Sequence, residues 1–181
     1  MRRTLRLGLL LAAIALPALA DAQTAKVEIG ASLANAIISV GDNDNGTVFG
    51  VPSSGFGLTS PGVYASFFVA PRLAVEPQLG LVVASFNGDT SHIVNFVGQV
   101  NYFLGDVGRP GAYLLGSAGI IDSGEGTITP KTLSAGVGYR FPVGSNLSFR
   151  LDGRYTRFFI GDEGANTIGL TFSIGGLFGQ R

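Results

Sequence analysis

Apolar and polar residues alternate along most of the sequence after residue 25. Over 132–141, Leu, Ala, Val, Tyr and Phe occupy every second position, and Thr, Ser, Gly and Arg stand between them. The same period of two recurs over 147–156 and 167–178. Successive side chains of a β-strand point to opposite faces, so this pattern predicts strands with one apolar and one polar face.

Five segments show this pattern clearly and three, 26–38, 61–70 and 112–121, show it less cleanly; each of the eight is long enough for a tilted membrane strand of about 9–11 residues. They are 26–38, 61–70, 75–83, 94–102, 112–121, 132–141, 147–156 and 167–178. Compact stretches rich in Gly, Pro, Asp and Asn connect them at 70–72, 105–111 and 142–146. The connections expected at the other end, partly longer, are 39–60, 87–91, 122–130 and 159–165. The predicted fold class is all-β: an eight-stranded antiparallel up-and-down transmembrane β-barrel with both termini at the short-turn end.

The composition of the polar face decides which face points inward. A lipocalin-like soluble barrel also alternates, with its apolar residues inside. Here the polar positions are mostly Gly, Ser, Thr, Asn and Gln, and only 13% of all residues are charged, against about 25% in ordinary soluble domains. These numbers favour a polar interior and an apolar surface facing lipid. The soluble barrel remains the alternative.

The N-terminus has the layout of a secretory signal peptide. Three arginines precede an apolar run over 7–16, and small residues follow Pro17. The run of about ten residues is shorter than the roughly 20 that a spanning helix needs. We therefore expect residues 1–22 to be cleaved, after Ala20 or Ala22, and 23–181 to form one outer-membrane β-barrel domain.

Charge and cysteine content narrow the function classes. Residues 1–22 hold three of the 12 basic and one of the 12 acidic residues, so 23–181 carries a net charge of −2. Without a basic excess, no nucleic-acid partner is predicted. The sequence has no Cys, so it contains no disulfide framework.

Charged residues recur on the predicted inward face. Arg150, Asp152 and Arg154 stand at alternate positions of one segment. The full set is three acids and three arginines: Glu28, Glu76, Arg140, Arg150, Asp152 and Arg154. The interior of an eight-stranded barrel is just wide enough for side chains to fill it, and buried charges must be paired. The set predicts a salt-bridged plug, and the alternative is a charged lining that passes small solutes.

Aromatic residues near the segment ends predict girdles at the two membrane interfaces. Those at the terminus end are Tyr102, Phe103, Tyr113, Tyr139, Phe141 and Phe178. Those at the other end are Phe86, Phe158 and Phe159. The alternative is that they are ordinary core aromatics.

Three stretches resemble the small outer-membrane β-barrel domain proteins, relatives of the membrane domain of outer-membrane protein A. They are PRLAVEPQLGL (71–81), GVGYRFPVGSNLSFRLDGRYT (136–156) and TIGLTFSIGGLF (167–178). The resemblance covers nearly all of 26–178 and implies the fold and the outer-membrane location. It implies little about activity, since that porin-like family includes anchors, adhesins and small channels.

The last stretch also resembles the signal read by the barrel-assembly machinery. That signal has a polar residue, a Gly two positions on, and hydrophobic residues five and seven positions on. The matching residues here are Thr167, Gly169, Phe172 and Ile174. The resemblance therefore implies the assembly machinery as a partner.

No catalytic, cofactor or metal site is predicted. Small barrels include lipid A deacylases and palmitoyl transferases, but the single histidine, His92, has its nearest hydroxyl at the adjacent Ser91. Adjacent strand residues face opposite ways, so these two do not form a nucleophile–base pair. The acidic stretch after Asp42 has Ser53 where an EF-hand loop needs its twelfth-position Glu.

We therefore predict a monomeric, non-enzymatic protein of the cell outer membrane with a structural, membrane-integrity or surface-interaction role. Its expected partners are outer-membrane lipid, lipopolysaccharide, the assembly machinery and an extracellular partner at 39–60. Two alternatives remain: a channel for small solutes or hydrophobic compounds, and a lipid A-modifying enzyme.

Overall fold

A computed structural model describes most of the chain after residue 26. The described residues are 27–40, 47–50, 62–86, 89–105, 110–122, 130–143, 146–161 and 163–179. The predicted signal peptide, 1–22, lies outside them. Within these ranges, no helix is long and apolar enough to cross a membrane.

Nine antiparallel strand segments form one closed sheet. They are β1 (Val27–Val40), β2 (Thr47–Gly50), β3 (Val63–Ala70), β4 (Leu73–Phe86), β5 (Asp89–Phe103), β6 (Gly111–Asp122), β7 (Lys131–Val143), β8 (Leu147–Ile160) and β9 (Glu163–Phe178). From β3 to β9 each strand pairs with the next, and β9 pairs back with β1. The ladder between β1 and β9 closes the barrel.

The ring has eight positions because β2 and β3 share one. Residues 35–38 of β1 pair with β2, and residues 27–31 of β1 pair with β3. The predicted eight-stranded up-and-down barrel is confirmed. The prediction of a loop throughout 39–60 is wrong at 47–50, where Thr, Val and Phe favour strand geometry.

Two connections are shorter than predicted. At 87–91 the ladder between β4 and β5 continues to the pair Phe86–Asp89, and at 159–165 the ladder between β8 and β9 continues to the pair Ile160–Glu163. Each connection is therefore only two residues long. Ladder hydrogen bonds join backbone groups and extend past the point where side chains stop alternating.

The two faces of the barrel differ as predicted. On β7, Thr132, Ser134 and Arg140 are buried, whereas Leu133 and Val137 are exposed. The same division of buried polar and exposed apolar residues holds on β4, β5, β8 and β9. A lipocalin-like barrel would show the opposite division, so that alternative is excluded. The outer surface is that of a barrel facing lipid.

Candidate functional site

The six predicted lumen charges all lie inside the barrel, each with an exposed fraction of 4% or less. Glu28 lies on β1, Glu76 on β4, Arg140 on β7, and the other three on β8. The period of two on β8 directs Arg150, Asp152 and Arg154 to one face. We call these six residues the charged cluster.

Arg150 is the centre of the charged cluster. Its Nη1 donates to Glu76 Oε2 at 2.6 Å and its Nη2 donates to Glu76 Oε1 at 3.3 Å, a forked contact with one carboxylate. Nη2 also lies 3.4 Å from Asp152 Oδ2, and Nη1 lies 4.0 Å from Glu28 Oε1. One guanidinium thus faces all three buried acids.

Amide side chains surround the carboxylate of Glu76. Gln78 donates to Oε1 at 2.6 Å, Gln99 donates to the same oxygen at 3.3 Å, and Asn101 donates to Oε2 at 3.1 Å. A buried carboxylate without such donors would be costly. The three amides on β4 and β5 share with Arg150 the solvation of Glu76.

A second ion pair joins Arg140 and Glu28, with 2.9 Å between Nε and Oε2. The hydroxyl of Tyr64 donates to the other oxygen, Glu28 Oε1, at 2.9 Å. The guanidinium of Arg140 lies over the ring of Phe68, 5.3 Å from its centroid. Both carboxylate oxygens of Glu28 therefore have partners.

Tyr113 links Arg150 to Asp152. Its hydroxyl donates to Asp152 Oδ1 and accepts a hydrogen bond from Arg150 Nε at 3.0 Å. A Cβ at Gly138 would overlap both the Tyr113 ring and the Asp152 carboxylate, so this glycine leaves the space that they occupy.

The rings of two tyrosines also flank Arg150. Its guanidinium carbon lies 4.6 Å from the centroid of Tyr64 and 5.3 Å from that of Tyr113. Such cation–π contacts add to the ion pairs when the guanidinium is out of water.

Arg154 is held less tightly than the other two arginines. Its Nη2 lies 3.6 Å from Asp152 Oδ2, and its Nε and Nη2 make no hydrogen bond in the part of the barrel described here. Arg154 is nevertheless buried. It occupies the edge of the charged cluster.

Hydroxyl side chains line the lumen beyond Arg154, in the half farther from the termini. Ser134 Oγ and Thr156 Oγ1 form a hydrogen bond of 2.9 Å between β7 and β8. Ser117, Thr132 and Thr167 are also buried. We call these five residues the hydroxyl segment.

The girdle prediction is wrong for three aromatics. Phe103, Tyr113 and Phe158 are buried inside the barrel, because each shares strand parity with inward polar residues. The residues that do face outward are Tyr102, Tyr139, Phe141, Phe159 and Phe178. The side chain of Phe86 lies outside the described part.

The sequence did not single out Tyr64 and Tyr113 as members of the interior network. The signal available for Tyr113 was its parity with Ser117, four residues on and also buried. Tyr64 shares parity with the buried Ser66 in the same way.

The residues that resemble an assembly signal all lie on β9. Thr167 and Gly169 point inward, whereas Phe172 and Ile174 belong to the outward face. Their recognition by the assembly machinery stays a prediction.

The side chains of Ser91 and His92, and the stretch 42–46, lie outside the described residues. Among the side chains described, no group of three or more His, Cys, Asp or Glu is arranged to hold a metal ion.

Comparison with known proteins gives distant structural likenesses. No family model and no curated protein matches the sequence. The N-terminal β-barrel domain of Pseudomonas aeruginosa OprF is 14% identical, with a TM-score of 0.46, over 84% of this chain and 97% of that one. Ail, the attachment invasion locus protein of Yersinia pestis, is 12% identical, with a TM-score of 0.43, over 85% and 97%. Ail in complex with the heparin analogue sucrose octasulfate gives 11% identity and a TM-score of 0.47, over 86% and 100%.

Proposed function

We propose that this protein is a non-enzymatic integral β-barrel of the bacterial outer membrane whose lumen is closed by the charged cluster. Its role is structural: it contributes a stiff, sealed element to the membrane and presents its connections to the outside. The apolar outer surface supports the membrane placement, and the predicted signal peptide agrees with export. Both termini then lie in the periplasm.

The proposal of a closed lumen rests on the contact between Arg150 and Glu76. Strands β4 and β8 are four positions apart in a ring of eight, so this forked ion pair crosses the barrel between opposite walls. The pair between Glu28 on β1 and Arg140 on β7 crosses the ring three positions apart. Amides and tyrosines hydrogen-bond to the members of these pairs, which supports a lumen closed by side chains.

Conductance in planar lipid bilayers tests the closed lumen. The purified protein is expected to give no regular openings. Openings whose conductance shifts in Arg150→Gln or Arg154→Gln, but not in the outward-facing control Arg157→Gln, would contradict the proposal. They would favour the channel for small solutes instead.

Gel mobility of the outer-membrane fraction, boiled against unboiled, tests the membrane placement. Every strand edge of a closed barrel is paired, so the unboiled protein should resist detergent and migrate at a different position. A protein found in the soluble periplasm without such a shift would contradict the placement.

The same proposal assigns the partners. Outer-membrane lipid and lipopolysaccharide surround the strands, the assembly machinery binds β9, and an extracellular partner binds within 39–60, the stretch that includes β2. The proposed state is a monomer, and the ring of strands needs no second copy to pair its edges.

A further inference from the structure

A groove of about 500 Å³ lies on the outer surface between β5 and β8. The residues that form it are Phe96, Ala118, Gly119, Ile120, Lys131, Thr132, Leu133 and Phe159. All of them except Lys131 and Thr132 are apolar. The groove lies toward the barrel end that is opposite the termini, since β6 ends at Asp122 and β7 begins at Lys131.

The groove exists because small residues lie beside a row of large ones. Gly98 on β5 pairs with Ala118 on β6, and neither carries a side chain beyond Cβ. The next outward row across the four strands is Phe96, Ile120, Lys131 and Phe159, which pair in succession. The large side chains form a wall above the depression that the small residues leave.

One cation, Lys131, forms part of this wall, and a second, Arg157, lies next to the groove on β8. Lys131 pairs with Phe159, and Arg157 pairs with Leu133, so the two cations are diagonal neighbours on one outward face. Diagonal positions in an antiparallel pair are about 7–8 Å apart, within reach of one common ligand for long side chains. The guanidinium of Arg157 lies 6.0 Å from the Phe159 ring centroid, and its Nη1 donates to Asn166 Oδ1 at 2.9 Å.

Lys131 and Arg157 differ in charge from the connections at this end of the barrel, whose charged residues are all acidic. The sequence of the connections at this end, 41–62, 87–88, 123–130 and 161–162, contains four acidic residues and no Lys or Arg. Asp122 lies on the same outward face of β6, two residues beyond Ile120. Lys131, Arg157 and Asp122 together carry a net charge of +1, which suits a single phosphate group.

We propose that this groove binds one phosphorylated, acylated glycolipid of the lipopolysaccharide class. An acyl chain lies over Ala118 and Leu133, and the phosphate contacts Lys131 and Arg157. The proposal rests on the outer-membrane placement above, which puts this end of the barrel in the outward leaflet. The apolar lining matches an acyl chain, and the two cations distinguish a phosphorylated glycolipid from a lipid without net charge.

Native mass spectrometry of the refolded, detergent-solubilised protein with bisphosphorylated lipid A tests the proposal. Wild type should retain one lipid A molecule. The double variant Lys131→Gln/Arg157→Gln should bind about tenfold more weakly, because it lacks both phosphate contacts. Ala118→Leu keeps both cations but fills the groove, and a loss of roughly tenfold is expected there too.

Two matched controls separate the groove from general effects. Ala65→Leu enlarges an outward residue on β3, and Arg72→Gln removes a cation at the terminus end; both should bind lipid A as wild type does. Wild-type affinity in Ala118→Leu would overturn the proposal. So would equal retention of phosphatidylglycerol, since the cations would then act as a general anionic patch.

This experiment is independent of the test of membrane placement. A variant that keeps its unboiled gel shift but loses lipid A has a folded barrel and a damaged groove. A wild-type barrel that shows the gel shift yet retains no lipid A would overturn the groove proposal and leave the proposed function standing. A protein found in the soluble periplasm would overturn the proposed function itself.

Discussion

The two halves of the barrel interior contain different kinds of side chain, and the contacts in each half join different strands. In the charged cluster, ion pairs join strands that are not neighbours, such as β4 with β8 and β1 with β7. In the hydroxyl segment, the hydrogen bond between Ser134 and Thr156 joins β7 and β8, and these residues already face each other in the backbone ladder.

The contacts of the charged cluster therefore hold opposite walls of the barrel together, whereas those of the hydroxyl segment add to the packing of neighbouring strands. A contact between neighbouring strands adds to an interface that backbone hydrogen bonds already hold. A contact between opposite strands fixes the shape of the ring, since no ladder connects them. We therefore expect stability to be concentrated in the charged cluster, and substitutions to cost less with distance from Arg150.

The largest effect is expected for Arg150→Met. It leaves Glu76 buried without its cation, and removal of one partner of a buried ion pair costs about 3–5 kcal/mol. The free energy of unfolding in urea, followed by far-UV circular dichroism in lipid vesicles, measures this loss. Arg157→Met, on the outward face, is the matched control and should cost far less.

A double variant tests whether the loss in Arg150→Met comes from the unpaired charge of Glu76. Glu76→Gln in the Arg150→Met background removes the stranded charge and should recover part of the lost stability. Equal losses in Arg150→Met and Arg157→Met would show that the interior pair contributes no more than a surface cation.

A smaller effect is expected for Tyr113→Phe. The change keeps the ring but removes the hydroxyl that donates to Asp152 and accepts from Arg150, which costs about 1–3 kcal/mol for a buried polar group left without its partner. Urea unfolding of this variant is compared with that of Tyr139→Phe, whose hydroxyl belongs to an outward side chain. A loss no greater than that of the control would contradict the assigned role of Tyr113.

The smallest effect is expected in the hydroxyl segment. Ser134→Ala leaves the Thr156 hydroxyl without this partner and should cost about 1 kcal/mol. The double variant Ser134→Ala/Thr156→Val removes both hydroxyls and should lie closer to wild type in the same unfolding measurement. A single-variant loss as large as that of Arg150→Met would remove the distinction between the two halves.

Parity along each strand, together with the composition of the polar face, predicted the location of the lumen charges. A strand alternates strictly, so the inward position of Arg150 fixes those of Asp152 and Arg154. Parity alone does not say which partners meet. Arg150 and Glu76 are 74 residues apart in the sequence, and they meet because of the order of the strands in the ring. No local pattern of residues predicts that contact.

Aromatic residues were harder to place because they suit either face of a barrel. Tyr113 lies near the beginning of β6, where an interface girdle is expected, yet its hydroxyl has a buried carboxylate as partner 39 residues away. The short strand β2 was missed for another reason. Four residues contain too few alternations to separate a strand from a loop.

The ladder between β1 and β9 also has a consequence for the order of events during synthesis. Val27 pairs with Phe178, so the first strand to be made finds its closing partner only when the last has been made. Any sheet that forms before β9 is in place has two open edges, and open edges pair readily with other chains. Until β9 pairs with β1, the β1 edge of such a sheet is open to other chains, a risk that the closed barrel no longer has.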